Sequence, residues 1–384
     1  MKSLKHKFIL ILFCLSFVNA QCQEKEVTVK NDSVLKVEEP KEISLLFIGD
    51  FMGHMDQINA AYDKESKTYR YDCFQKISSV LSDADVTIGN IEVTLGVKPY
   101  SGYPQFSSPP SYATAIKAAG VDVLTTANNH SCDKKKLGVE RTISILDSLE
   151  IGHTGTFINK EEKERNPAYV IEQNGFKIAI INYTYGTNGI NPTPPNVVNY
   201  LDKDTIKADV ELVNTTIKPD QIIAFVHWGY QYKDLPNDEQ KDFFEYFKSL
   251  GVNIVIGAHP HVLQPMEWQK PTAEQSESLV VYSLGNFVSH QRTFPRDGGA
   301  VFKLILEKNE DEKVQIKDAK YYLTWVYEPI VNGKKEYDVL PADTYSKQPE
   351  FFALEKDYKK MMRFIEHARN LLCKHNVNIE EYTD

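Results

Sequence analysis

Six short apolar runs in this sequence each stop on residues able to bind a metal or move a proton. Leu45–Ile48 runs into Gly49-Asp50, Val86–Ile88 into Gly89-Asn90-Ile91-Glu92, and Val121–Thr126 into Ala127-Asn128-Asn129-His130. Ile222–Val226 runs into His227-Trp228-Gly229, Ile254–Ile256 into Gly257-Ala258-His259-Pro260-His261, and Leu279–Leu284 into Gly285-Asn286-Phe287. Neutral imidazole mixed with carboxylate and amide oxygen is the donor set that suits zinc, manganese or iron. Singly, these residues have plainer explanations, because Asp after Gly and isolated Asn form turns and a lone strand-end His is usually a satisfied core or surface group. Six such endings in one chain point to one shared site, with the adjacent glycines leaving room for backbone to approach.

The elements that bring these ends together are strands. Continuous β-branched runs, including Ile43–Ile48 and Ile178–Asn182, suit strands buried on both faces. Helical patterns lie between them. Ser111 reads as an N-cap after Pro109-Pro110, with Gly120 as the stop, and Val139, Ile143, Leu146 and Leu149 recur at helical spacing. Asn237 with Gln240 reads as a capping box, followed by an apolar face of Phe243, Phe244, Phe247 and Leu250 that Gly251 ends. Alternating strand and helix predicts an α/β fold, in which the carboxyl ends of parallel strands converge on the ligand-binding edge. Beyond Ala300 the pattern changes to two facing strands, Val301–Leu306 and Val314–Tyr322. A last helix, Phe351–Cys373, carries Phe351, Leu354, Tyr358, Met361, Ile365, Ala368 and Leu372 as a docking stripe. No repeat at a solenoid period is present.

Of the 384 residues, 42% are hydrophobic and 25% charged, a globular composition that excludes a disordered or fibrous chain. Lys2, Lys5 and Lys7, the apolar stretch Phe8–Val18 and the small-residue end Val18-Asn19-Ala20 read as an export signal over residues 1–20. That stretch is too short to span a bilayer, and no later run reaches the length required, so no transmembrane segment is expected in the mature chain. The mature protein is expected from Gln21, in the periplasm or at the cell surface; a lipid anchor on Cys22 is the lesser option, because Gln21 suits a lipoprotein signal badly. Residues 21–42 read as a flexible tether, 43–330 as the main domain, and 331–384 as a C-terminal extension with the docking helix. The formal charge is −9, three units lower once the leader lysines are removed, which excludes a general affinity for nucleic acid. Cys73, Cys132 and Cys373 show no zinc-ribbon or disulfide spacing; Cys73 and Cys373 are expected on buried helix faces.

The set GDFMGH (49–54), IGNIEVTLG (88–96), TANNH (126–130), VHWGYQY (226–232), IGAHPHVLQP (256–265) and YSLGNF (282–287) resembles the CapA (PgsA) family of capsule-biosynthesis proteins. That family is associated with making and exporting poly-γ-glutamate and is assigned to the calcineurin-like metallophosphoesterase superfamily. The resemblance spans about 43–330 and implies a four-layer α/β sandwich, with central β-sheets flanked by helices. It implies one or two divalent ions (Mn, Zn or Fe) held by Asp50, Glu92, Asn129, His227, His259 and His261. Asp50 and His130 become the catalytic residues, His130 protonating a leaving group. The chain departs from the superfamily's pattern at two places. Met52 stands where Asp-x-His would put its histidine, and Gly89-Asn90-Ile91-Glu92 replaces Gly-Asp-x-x-Asp. Glu92 is then the candidate bridge between two metals, and His54 a residue able to swing in.

Asn90, Tyr103, Trp228, Tyr230, Asn286, Arg292 and Arg296 are the candidates for binding the rest of the substrate, the arginines by bidentate pairing with carboxylate or phosphate. The plainer account is half-exposed tyrosine packing and solvated arginine. Two functions compete, beside the plainer reading of a sheet whose metal site is only structural. One is a metal-dependent hydrolase of the cell envelope that acts on an anionic polymer or small-molecule substrate in capsule biosynthesis or export. The other is a non-catalytic assembly factor that holds an anionic capsular polymer for the synthesis and export machinery.

Overall fold

The computed structural model describes residues 41–383. The export signal, Cys14, Cys22 and the tether up to residue 40 lie outside the described residues. In chain order the strands of the two main sheets are β1 (Glu42–Phe51), β2 (Val86–Ile91), β3 (Val123–Thr125), β4 (Gly152–Thr154), β5 (Tyr169–Gln173), β6 (Phe176–Thr184) and β7 (Gln221–His227). They continue as β8 (Ile254–Ala258), β9 (Leu263–Gln269), β10 (Ser278–Leu284), β11 (Asn286–Val288), β12 (Gly298–Lys308), β13 (Val314–Tyr327), β14 (Asp338–Pro341) and β15 (Glu380–Glu381), which pairs with β13. The first sheet has the order β14-β13-β12-β1-β2-β3-β4. Strands β1 to β4 are parallel, and β12, β13 and β14 run antiparallel to their neighbours. The second sheet has the order β5-β6-β7-β8-β10-β9, with β6, β7, β8 and β10 parallel and the edges β5 and β9 antiparallel.

Strand periodicity dictates how these sheets stack. Along β1, Ile43, Leu45 and Phe47 face one way, and Leu46 and Ile48 the other, as alternation of successive side chains requires. The inward set meets Ile180, Phe225 and Ile256 of the second sheet, with Phe302 beside them, in one core. The outward set is covered by helices α1 (Pro110–Ala118) and α2 (Lys135–Ser148), through Tyr112, Ile116, Ile145 and Leu146. On the far side of the second sheet, Ile181, Ala224 and Val255 are covered by α3 (Lys203–Thr216) and α4 (Asp238–Ser249), through Val210, Val213, Phe244 and Phe247. The result is helix, sheet, sheet, helix: the four-layer α/β sandwich.

Local signals act where they were read, with exceptions. At α4 the capping box is complete: Asn237 Oδ1 accepts from the Gln240 amide at 2.8 Å, and Gln240 Oε1 accepts from the Asn237 amide at 3.0 Å. Helix α1 is capped instead by Pro109, so Ser111 falls inside its first turn. The last helix, α5 (Glu355–His375), buries Met361, Ile365, Ala368 and Leu372 in the inter-sheet core. Its stripe starts later than expected, since Leu354 is half exposed and Phe351 belongs to a separate 3-10 turn. Cys73 is buried in a turn rather than on a helix, and Cys373 is exposed.

Candidate metal centre

The carboxyl ends of β1, β2, β3, β7 and β8 meet at one edge, and the two sheets touch there through polar side chains. Asp50, at the end of β1, accepts from Asn90 Nδ2 at 2.7 Å and from the His259 backbone amide at 3.3 Å. His261 Nδ1 lies 3.4 Å from the same carboxylate. His227 Nε2 sits 2.8 Å from Asn129 Oδ1 and 3.1 Å from His259 Nδ1. Close approach of β1 to the Gly285 turn before β11 allows this convergence: a Cβ on Gly49 would lie 2.1 Å from the Gly285 carbonyl oxygen. His259 and His261 hold positive φ angles of 100° and 58°, which side chains other than glycine seldom adopt and which surrounding structure must enforce.

Glu92 decides whether a cation belongs here. It is fully buried, and neither carboxylate oxygen has a hydrogen-bond partner. Its nearest basic nitrogens are His227 Nε2 at 3.6 Å and His261 Nε2 at 3.9 Å. An uncompensated buried carboxylate is destabilising by several kcal/mol. Two donor sets, Asp50/Glu92/His227 and Glu92/His259/His261, each bring their ligand atoms within 4.8 Å of one another, and both contain Glu92. With metal–ligand distances near 2.0–2.2 Å, such clusters could hold one or two divalent ions.

The titration behaviour has the same sense. Burial alone would raise Asp50, but the His261 hydrogen bond and the charges of His227 and His261 hold its carboxyl below the usual range. Burial alone would lower His261, yet Glu92 and Asp50 raise its imidazole above the ordinary value. Burial pushes His259 well below it, aided by repulsion from His227, His261 and His130. Two carboxylates therefore draw positive charge into the cluster, and His259 is kept as a neutral donor.

His130 is built differently. Its Nδ1 lies 2.7 Å from Asp133 Oδ2, which also accepts from the Phe106 amide at 2.6 Å. The Phe106 ring packs edge-on against the imidazole, centroids 4.6 Å apart. A carboxylate only accepts, so Nδ1 carries the proton and Nε2 is left for chemistry.

The remaining candidates divide into those beside the centre and those elsewhere. Asn90 and Asn286 are buried and orient ligands: Asn90 bonds Asp50, while Asn286 Oδ1 meets His261 Nδ1 at 3.0 Å and its Nδ2 donates to the Arg296 carbonyl at 2.9 Å. Arg296 stacks on Tyr232 at 4.2 Å, and Tyr232 in turn stacks on His261. Tyr103 and Tyr230 are exposed at 78% and 63%. Trp228 is 2% exposed, its indole N–H donates to the Tyr282 carbonyl at 2.9 Å, and it lines a small cavity with Tyr185 and Tyr230. Arg292 donates to the Val326 carbonyl at 2.7 Å and lies 3.4 Å from Glu328, while its Nη1 is buried without a hydrogen-bond partner. His54 does not swing in; its Nδ1 lies 3.2 Å from Gln57 Oε1 and 3.3 Å from the His290 amide nitrogen. Met52 is buried in the core.

Several contributors escaped sequence reading. Asp133 was findable three residues after His130. Tyr185 follows β6, the seventh strand end, and its ring covers His259 at 4.5 Å and His227 at 6.3 Å. Asn188 accepts from Asn129 Nδ2 at 3.3 Å, and Gln231 lies 3.4 Å from His261 Nε2.

Fold and centre together define a four-layer α/β protein with a metal-type donor cluster at its strand ends. The chain belongs to the family described as bacterial capsule synthesis protein PGA_cap, whose profile matches residues 44–291 and contains all six strand ends. It is 25% identical over 339 residues to the PGA biosynthesis protein CapA of Bacillus subtilis (strain 168), covering 82% of this chain and 80% of that protein. The capsule biosynthesis protein CapA of Bacillus anthracis is 25% identical over 271 residues, covering 67% of this chain and 62% of that protein. Among solved structures, the NAD nucleotidase NadN of Haemophilus influenzae matches 90% of this chain and 65% of its own, at 13% identity and a TM-score of 0.46.

Proposed function

We propose that this protein is an exported, metal-dependent hydrolase of the metallophosphoesterase type that acts on an anionic polymer or small-molecule substrate in capsule synthesis or export. The observation that carries this reading is a fully buried, hydrogen-bond-free Glu92 beside three histidines, next to an acid–base pair, His130–Asp133, in the segment that supplies Asn129. Asp50, Glu92, Asn129, His227, His259 and His261 are the residues that would hold one or two divalent ions. When bound, such an ion supplies Lewis-acid polarisation of a phosphoryl or acyl oxygen and acidifies water.

The chain's own residues do the rest. Asp133 fixes the imidazole of His130 with its proton on Nδ1, and Phe106 fixes the ring plane, so that protonated Nε2 can deliver a proton to a leaving oxygen or nitrogen. Asn90 and Asn286 hold Asp50 and His261 in place. Arg296, stacked on Tyr232 at the edge of the centre, would meet a carboxylate or phosphate there, with Arg292, whose Nη1 has no hydrogen-bond partner, as the second candidate.

The test is turnover of phosphomonoester, phosphodiester and γ-glutamyl nitrophenyl substrates with and without Mn²⁺. Metal-stimulated turnover is expected on at least one class. His130→Ala should lower it about 10²–10⁴-fold while metal content stays unchanged and the melting temperature drops, because the buried Asp133 loses its partner. No metal-stimulated turnover on any class, with poly-γ-glutamate binding lost in Arg296→Ala, would replace this reading with the assembly factor.

A further inference from the structure

Next to the centre lies a small cavity of about 140 Å³ walled by Tyr185, Tyr230, Phe243, Trp228, Leu201 and Glu239. Four aromatic rings and one carboxylate make up most of that wall, and neither lysine nor arginine lines it. The other polar groups of the wall are largely committed. Gln240 accepts from the Asn237 amide and donates to Gln264 Oε1 at 2.8 Å, and Trp228 donates to the Tyr282 carbonyl. Glu239, by contrast, has no ion pair or side-chain hydrogen bond among the described residues. Lys203, whose Nζ lies 5.8 Å from the Phe243 ring, is paired with Asp242 at 2.6 Å and is not part of the wall.

The geometry points to a recognition site for a small cation, an ammonium group on the ligand. Aromatic faces carry negative charge density and attract ammonium within about 6 Å of the ring centre, more strongly when water is excluded. The carboxylate supplies the neutralising charge at the rim. About 140 Å³ is room for an ammonium head group with a few carbons. Tyr185 is shared: the ring that walls the cavity also covers His259 at 4.5 Å. An ammonium in the cage therefore sits beside the metal-type centre. Its role as a substrate subsite rests on the hydrolase reading, whereas the cage itself rests only on its wall. The same ammonium chemistry is offered by an amino-alcohol phosphate ester and by the free α-amine of a γ-glutamyl chain.

Ligand-observed NMR and calorimetry with choline test this on the full chain, both as purified and after EDTA treatment, so that binding is read independently of metal or turnover. Saturable choline binding is expected, about tenfold tighter than that of its neutral isostere 3,3-dimethylbutan-1-ol, and about tenfold weaker in Glu239→Gln and in Tyr230→Ala. Phosphocholine and γ-glutamyl-glutamate, with its amine free or acetylated, distinguish the sources: binding that depends on Glu239 and is lost on acetylation assigns the cage to the α-amine. Equal binding of the neutral alcohol, an unchanged Glu239→Gln, or no saturation by choline up to about 100 mM would overturn the proposal. If the cage binds choline while no substrate is turned over, the hydrolase reading alone fails.

Discussion

Glu92 is fully buried, makes no hydrogen bond, and has only the imidazoles of His227 and His261, at 3.6 and 3.9 Å, to offset its charge. Its contribution to stability should therefore grow with metal. In EDTA-treated protein, Glu92→Gln should change the melting temperature little, because the buried charge it removes is only partly compensated. With Mn²⁺ added, wild type should gain stability by mass action and the variant should gain much less; paired thermal melts read both. His54 gives the second prediction at this scale. Burial lowers its pKa to about 4 against the opposing Gln57 hydrogen bond, and repulsion from His261, His290 and His130 adds to the lowering. A depressed folded value means that stability is fully present above the unfolded pKa near 6.5 and is lost as pH falls toward 4. Urea denaturation of EDTA-treated protein should show wild type losing on the order of 2–3 kcal/mol more than His54→Gln across that window. The residues that end apolar runs were legible in the sequence because each run announces its own terminus. Sequence adjacency to a motif says nothing about which way Trp228 and Arg292 turn, so their surroundings needed the fold.

At the level of elements, Asn237 and Gln240 satisfy the first amides of α4 reciprocally. Asn237→Ala should lower unfolding stability by about 1 kcal/mol, read as a shifted denaturation midpoint with an unchanged slope. Phe247, fully buried on the same helix, should lose about 3–5 kcal/mol on truncation to alanine. The parallel strands were readable as continuous apolar runs, since both faces of each sheet are covered. Strands β5, β9 and β14 were not. They lie at sheet edges, where polar residues and even a proline are tolerated, as in β9, whose sequence is LQPMEWQ. Strand β11 has only three residues, and tertiary pairing of Asp50 with Asn286 creates it.

For the whole molecule, the site exists because two sheets meet at their carboxyl edges: Asp50, Asn90, Glu92 and Asn129 come from one side, His227, His259 and His261 from the other. That convergence follows from α/β topology, which the alternation of runs and helices announced, whereas the distances within the cluster required the fold. The His–Asp partnership and the aromatic cover at Tyr185 depend on loops whose paths no periodicity encodes. The export reading belongs to this scale too: intact-mass measurement of the secreted protein should give a chain beginning at Gln21, and a diacylglycerol-sized addition on Cys22 would identify a lipoprotein instead. The central claim, that the buried carboxylate–histidine cluster is a metal centre, is tested most directly by elemental analysis of protein purified without a histidine tag from medium supplied with Mn, Zn and Fe. The account predicts at least about one equivalent of divalent metal per chain in wild type, falling severalfold in Glu92→Gln and in His261→Ala. Folded wild-type protein that carries no divalent metal under these conditions, or variants that retain the full equivalent, would contradict it.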